Sequence, residues 1–312
     1  MDSIHRTVLL NEAIQGLNLT DKSIVLDATF GGGGHSAEIC RKYPNVKIIA
    51  LDQDKSVWRR AEQKFKDSDC QISFHNINFR DLDEVSGKEE VDAIILDLGL
   101  SSDQLENSGR GFSFMKNEPL LMTMKDIKDN LPSSEDLTAK DIVNNWSEEH
   151  LADIIYGYGE ERFSRRIAKA IVEARKEKKI QTSFDLVKVI SDAVPAAYKR
   201  GKPKKIHVAT KTFQALRIAV NDELNTLQKG LEKGFEALKS GGRMSVISFH
   251  SLEDRIVKRF YKAKEKEQKA KLIPARLNSR SGGNKKFIIA SAEELKDNPR
   301  ARSAKLRILE KI

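Results

Sequence analysis

Three short apolar runs near the start of the chain each end in an aspartate: Ile24-Val25-Leu26-Asp27, Ile48-Ile49-Ala50-Leu51-Asp52 and Ala93-Ile94-Ile95-Leu96-Asp97. Continuous apolar runs of this length, separated by helical stretches, read as strands buried on both faces, the environment of a parallel sheet. Ligands of such sheets bind where the carboxyl ends of the strands emerge. The first run leads straight into Phe30-Gly31-Gly32-Gly33-Gly34-His35. Three carboxylates and a glycine loop are therefore expected to line one crevice.

The charges of that crevice select its ligand. A dinucleotide brings a pyrophosphate, so its site keeps one acid at the end of the second strand and leaves the first strand end apolar. Here Asp27 ends the first strand, and Ser36 stands where the dinucleotide fingerprint has its last glycine. S-adenosyl-L-methionine has no phosphate. It carries a cationic sulfonium, an ammonium and a ribose diol, each a partner for a carboxylate. Asp52 follows the loop at roughly the twenty-residue spacing of a ribose-binding acid. Singly, each aspartate reads as well as a solvated strand end or helix cap, and the loop as a turn; three acids in register favour the cationic cofactor.

The two cysteines, Cys40 and Cys70, form no CxxC pair, and no other His/Cys cluster has metal-ligand spacing. They are expected as separate reduced thiols, with no metal site. The start, Met1-Asp2-Ser3-Ile4-His5-Arg6, lacks the pattern of a signal peptide, and no run approaches the roughly twenty apolar residues of a membrane span. A soluble, cytoplasmic protein is expected.

Charge is uneven along the chain. Residues 1–157 hold 17 basic against 28 acidic side chains, residues 158–206 hold 14 against 6, residues 207–254 hold 6 of each, and residues 255–312 hold 18 against 6. Two basic segments beside an acidic cofactor region form the footprint of a polyanion-binding surface. Solvated lysine-rich helix ends explain Arg175-Lys176-Glu177-Lys178-Lys179 equally well. The tail, with Lys285-Lys286 and Arg300-Ala301-Arg302-Ser303-Ala304-Lys305-Leu306-Arg307, turns the balance toward nucleic acid.

After Asp97 the alternation of strand and helix stops. Polar turn-rich sequence gives way to helical patterns over residues 139–156, 162–178 and 183–194, with no convincing strand. The rhythm then resumes: a helix over about 212–238, a glycine C-cap at Gly241-Gly242, a strand over 243–249, a helix over about 252–268 capped by Ser251, and a closing edge strand over 304–310. This divides the chain into an α/β core of residues 1–103 and 207–312 and an inserted all-helical domain of residues 104–206.

Many ordered motifs together resemble one family over nearly the whole chain. They are His5-Arg6-Thr7-Val8-Leu9-Leu10, Thr29 to Ser36, Asp97-Leu98-Gly99-Leu100-Ser101-Ser102, Gln104-Leu105, Arg110-Gly111-Phe112-Ser113-Phe114-Met115, Tyr158-Gly159-Glu160-Glu161-Arg162, Thr212 to Ile218, Ser248 to Lys258 and Asn298-Pro299-Arg300-Ala301-Arg302-Ser303. The chain is similar in these to the bacterial RsmH family, once called MraW. The resemblance implies a class I, Rossmann-like methyltransferase sheet with an inserted helical domain. It also implies S-adenosylmethionine-dependent methylation of N4 of a decoding-site cytidine, conventionally position 1402, in 16S rRNA of the small ribosomal subunit.

By the same resemblance the cofactor contacts fall on Gly33, Gly34 and His35 for the methionine part, Asp52 for the ribose, Phe79 for the adenine, and Asp97 and Gln104 for the remainder. Candidates for holding the target amine are Asp97, the Leu98 carbonyl, Ser101 and Ser102. Arg162, Arg165, Arg166 and the tail arginines are candidates for a track along flanking phosphates of an unstacked cytidine. Leu121 and Thr123 stand where the family usually carries Asp and Arg, and Lys211 replaces its usual arginine. The rival reading is a non-catalytic RNA-binding ribosome-assembly factor that retains the fold; whether the chain forms a homodimer stays open.

Overall fold

The computed structural model describes residues 6–86, 90–125, 136–195, 207–274 and 286–312. His5 and Lys285 of the sequence motifs lie outside the described residues. The chain divides into two compact units, residues 1–99 with 224–312, and residues 100–223.

The first unit is built on α1 (Leu10–Leu17), β1 (Ile24–Asp27), α2 (Gly34–Lys42), β2 (Lys47–Leu51), α3 (Trp58–Phe65), β3 (Gln71–His75), α4 (Asp83–Ser86) and β4 (Val91–Asp97). Its strands form a seven-stranded sheet with β5 (Leu238–Ser248), β6 (Ala270–Ile273) and β7 (Lys305–Lys311), in the order β3-β2-β1-β4-β5-β7-β6. β1 to β5 run parallel, while β7 is antiparallel to both its neighbours. The order reverses between β1 and β4, which opens a crevice at their carboxyl ends.

The apolar runs are continuous because alternate residues enter two different cores. Val25, Ile48, Ala50, Ala93 and Ile95 pack on one face with Leu9, Ile14, Ile39 and Phe65. Leu26, Ile49, Leu51, Ile94 and Leu96 pack on the other with Leu227, Leu231, Phe235, Val257 and Tyr261. The Tyr261 hydroxyl, fully buried, donates to the Met244 carbonyl at 3.0 Å.

The second unit carries α5 (Ser102–Glu106), α6 (Ala139–Asn145), α7 (Glu148–Gly157), α8 (Ser164–Glu177), α9 (Ser183–Ala193) and α10 (Thr210–Asn221) around an apolar core of its own. Capping boxes start α6 at Thr138 and α9 at Thr182. The helical pattern over 139–156 is two helices, because Ser147 caps a new start with its side chain on the His150 N–H. Among the described residues its only β pairing outside named strands is the bridge between Pro119 and Thr182. Leu121 and Thr123 are both buried, and the buried Arg110 guanidinium donates to the carbonyls of Thr123, Met124 and Lys125 at 3.1, 3.3 and 3.0 Å.

Several sequence expectations need correction. The helix over 212–238 is broken at Asp222, whose left-handed φ of 48° ends α10 before α11 (Glu223–Ala237) begins. Gly241 and Gly242 lie within β5 and do not cap a helix. The cap of α12 (Ser251–Lys266) is His250, whose Nδ1 accepts from the Glu253 N–H while Glu253 accepts from the His250 N–H. β7 is an interior strand, and β6 takes the edge. Cys40 and Cys70 are joined in a disulfide, since the crossover from α2 to β3 brings their Cα atoms to 5.3 Å.

Candidate functional site

Register sets the depth of the three strand-end acids. Asp27 stands opposite Ala50 of β2 and Ile95 of β4, so Asp52 and Asp97 each lie two residues further toward the carboxyl rim. Asp27 is accordingly deeply buried and its oxygens are engaged: Oδ2 accepts from Ser36 Oγ at 2.5 Å and Oδ1 from the Thr29 N–H at 3.3 Å. It ties the first turn of α2 to β1. Sequence pattern alone sets it beside Asp52 and Asp97 on the crevice wall; the structure puts it beneath them.

Asp52 makes contacts to the loop that spacing did not reveal. Its Oδ2 accepts from the Gly31 N–H at 2.8 Å and its Oδ1 from the Asp54 N–H at 2.8 Å. The candidate ribose acid therefore also fixes the near end of the glycine loop. Gly33 ends that loop in a left-handed conformation, φ 65°, where a Cβ would strike the Phe30 ring at 2.5 Å. Gly34 opens α2, followed by His35, which is 5 % exposed.

Asp97, at the end of β4, donates its backbone N–H to Thr29 Oγ1 at 2.6 Å. Its Oδ2 lies 3.8 Å from His35 Nδ1, which brings two of the sequence candidates together. Its Oδ1 is buried without a hydrogen-bond partner. A buried acceptor of this kind calls for a donor or a cation to complete it. Burial is the main cause that pushes all three acids up, Asp27 to about 6, Asp52 to about 7 and Asp97 to about 8. For Asp97 the charges of Asp27 and Glu253 push the same way. No lysine or arginine among the described residues forms an ion pair with any of the three. The donor set thus fits a cationic ligand and opposes an anionic one.

Phe79 is half-buried in a one-turn 3-10 helix started by Asn78, whose Oδ1 accepts from the Arg80 N–H at 3.0 Å. Its ring lies against Gly230 of α11, where a Cβ would come within 2.4 Å of Cδ2. In the second unit, Ser101 and Gln104 form the capping box of α5: Ser101 Oγ accepts from the Gln104 N–H and Gln104 Oε1 from the Ser101 N–H, each at 3.1 Å. Ser102 is the first residue of that helix.

The candidate phosphate-binding cations separate into two kinds. Arg162, Arg165 and Arg166 are exposed in the second unit, Arg162 lying over the Phe163 ring at 4.6 Å. Arg300 and Arg302 are exposed in the first. Arg307 is not available in this way: it is buried, with Nε 2.7 Å from Asp254 Oδ1.

An acid-lined crevice at a reversal of strand order suits no phosphate-bearing cofactor, and the chain is of the class I, S-adenosylmethionine-dependent methyltransferase type. The sequence pattern of the MraW methylase family matches residues 2–312. The chain belongs to that family. It is 45 % identical over 308 residues to the ribosomal RNA small subunit methyltransferase H of Acaryochloris marina, covering 99 % of this chain and 94 % of that one. The protein of the same name from Brevibacillus brevis is 42 % identical over 320 residues, covering 99 % and 98 %. That from Clostridium botulinum is 43 % identical over 331 residues, with both chains fully covered.

Proposed function

We propose that this chain methylates the N4 amino group of a decoding-site cytidine in 16S rRNA of the small ribosomal subunit, as a cytoplasmic enzyme. The family and the names of its relatives support the rRNA substrate. The observation that carries the chemistry is the buried, unpartnered Asp97 Oδ1 among carboxylates with which no lysine or arginine of the described residues forms an ion pair.

When bound, S-adenosylmethionine supplies an electrophilic methyl group on a cationic sulfur. Gly33, Gly34 and His35 would hold its amino-acid end, Asp52 its ribose, Phe79 its adenine, and Asp97 and Gln104 complete the contacts. The target amine is a poor nucleophile, because its lone pair is delocalised into the cytosine ring. Asp97 Oδ1 accepts one N–H of that amine, and the Leu98 carbonyl, Ser101 and Ser102 are the candidates to accept the other. Acceptors so placed favour a tetrahedral nitrogen with its lone pair free to react. A cationic cofactor beside Asp97 favours its ionised form over the raised value of the unliganded site, and the carboxylate is then able to take the proton that the methylated amine gives up. No covalent enzyme nucleophile is needed. The second unit and the exposed arginines would hold the flanking RNA, with the cytidine out of its stack.

The test is transfer of labelled methyl to small subunits that lack the modification, beside free 16S rRNA, followed by nucleoside analysis. Label in N4-methylcytidine supports the reading. Binding to subunits without any label, by a chain that binds cofactor, favours the assembly-factor reading.

A further inference from the structure

The glycine loop is anchored by a residue that neither the sequence motifs nor the family resemblance singled out. Lys64, in the last turn of α3, directs its ammonium at two loop carbonyls, donating to Gly32 O at 2.8 Å and Gly33 O at 3.1 Å. It forms no ion pair among the described residues, and partial burial lowers its pKa. On the other side the Gly31 N–H is held by Asp52 at 2.8 Å. Beneath, Gly34 rests on Thr7, so closely that a Cβ would lie 1.8 Å from Thr7 Oγ1. A run of four glycines loses more freedom on ordering than any other sequence. These contacts, with the Gly33 N–H on Phe30 O and the Ala37 N–H on Gly33 O, hold this one in a single shape.

We propose that Lys64 is a positioning residue for the cofactor's amino-acid end, fixing the loop that receives it; this rests on the cofactor reading above. In a trans peptide the carbonyl and the following N–H point in opposite directions, so anchoring the Gly32 and Gly33 carbonyls fixes the Gly33 and Gly34 N–H groups. The Gly33 N–H is spent on Phe30 O at 2.8 Å. The Gly33 carbonyl also accepts from the Ala37 N–H of α2 at 3.0 Å, so the ammonium and the first bond of that helix together set the direction of the Gly34 N–H. Without the ammonium the loop spends less time in the receptive shape, and apparent affinity falls by that fraction. The loss is felt alike by ground and transition states, so KM rises while kcat stays.

Two ligands separate this role from a general structural one. S-adenosylhomocysteine carries the amino-acid end; 5′-methylthioadenosine has the same adenosine and sulfur without it. In Lys64→Met, calorimetry should show S-adenosylhomocysteine weakened roughly tenfold, the scale of one hydrogen bond to a charged group, with methylthioadenosine unchanged. KM for S-adenosylmethionine should rise by the same factor at constant kcat, and Lys64→Arg, which keeps charge and donors, should recover most of the loss. Unchanged binding of S-adenosylhomocysteine in Lys64→Met, or equal weakening of both ligands, would overturn the proposal. A wild type that binds the two ligands equally well would instead overturn the placement of the amino-acid end on this loop, and the proposal with it.

Discussion

Replacing Asp97 by asparagine should stabilise the unliganded protein, and increasingly so as pH rises. Asp97 is raised from 3.8 to about 8, first by burial, then by the charges of Asp27 and Glu253. A carboxyl whose native pKa lies above its unfolded value contributes stability that is fully present below about 3.8 and is lost as pH rises through about 8. Between those values the unfolded chain is ionised while the native site still holds its proton, so wild-type stability falls by up to about 1.4 kcal/mol per pH unit. From pH 5 to pH 8 this one group costs about 4 kcal/mol. Asparagine has nearly the same shape and no charge, so the variant escapes that slope. The assay is urea unfolding from pH 5 to 8.5, followed at Trp58 of the first unit in a Trp146→Phe background. The stability gap between Asp97→Asn and the Asp97 protein should widen steadily with pH. Stabilisation by S-adenosylmethionine should grow with pH when Asp97 is present and grow less steeply in Asp97→Asn, where Asp52 and Asp27 alone still titrate in this range. A gap that does not change with pH, or a variant less stable throughout, would refute the view that an uncompensated carboxylate stands at the end of β4.

Other perturbations reach different parts of the fold and the site. The Cys40–Cys70 bridge closes a loop of 30 residues, for which chain entropy gives about 3.6 kcal/mol; a reductant should lower the urea midpoint accordingly, and an unchanged midpoint would argue against the bridge. Gly230→Ala puts a methyl group on the Phe79 ring and should cost about 1–3 kcal/mol through overpacking. The same variant should raise KM for the cofactor, whereas unaltered KM would separate Phe79 from the adenine. Replacing Arg165 and Arg166 by alanine should weaken subunit binding and lower the slope of log affinity against log salt by about one for each phosphate no longer neutralised; an unchanged slope would remove them from the track.

The parts of the fold legible in the sequence are those fixed by local burial. A strand covered on both faces must be apolar at every position, so β1, β2 and β4 announced themselves. β7 is equally plain as a strand, yet its alternation suggests one solvated face while Leu306 to Leu309 are all buried, Arg307 included, so its antiparallel place between β5 and β6 was invisible. The break at Asp222 carries no glycine or proline; an aspartate tolerates the left-handed region without advertising it. Ser251 is by type the better cap than His250, but the capping box with Glu253 settles the matter one residue earlier. For the candidate site, spacing pointed to Asp52 and the strand-end pattern to Asp97. Neither could find that Asp27 lies two residues deeper, or that Ser36 and Thr29 occupy its oxygens, because strand register is a tertiary property. Lys64 gave no signal because an isolated lysine at a helix end is ordinary on a surface; only the approach of α3 to the loop gives it a role.

The most direct measurement is a crystal structure of the chain with S-adenosylhomocysteine. The expected result has the amino-acid end on Gly33, Gly34 and His35, the ribose hydroxyls at Asp52, the adenine beside Phe79, and a ligand or water donor completing Asp97 Oδ1. A ligand bound elsewhere, or one that leaves Asp52 and Asp97 untouched, would contradict the acid-lined crevice as the cofactor site.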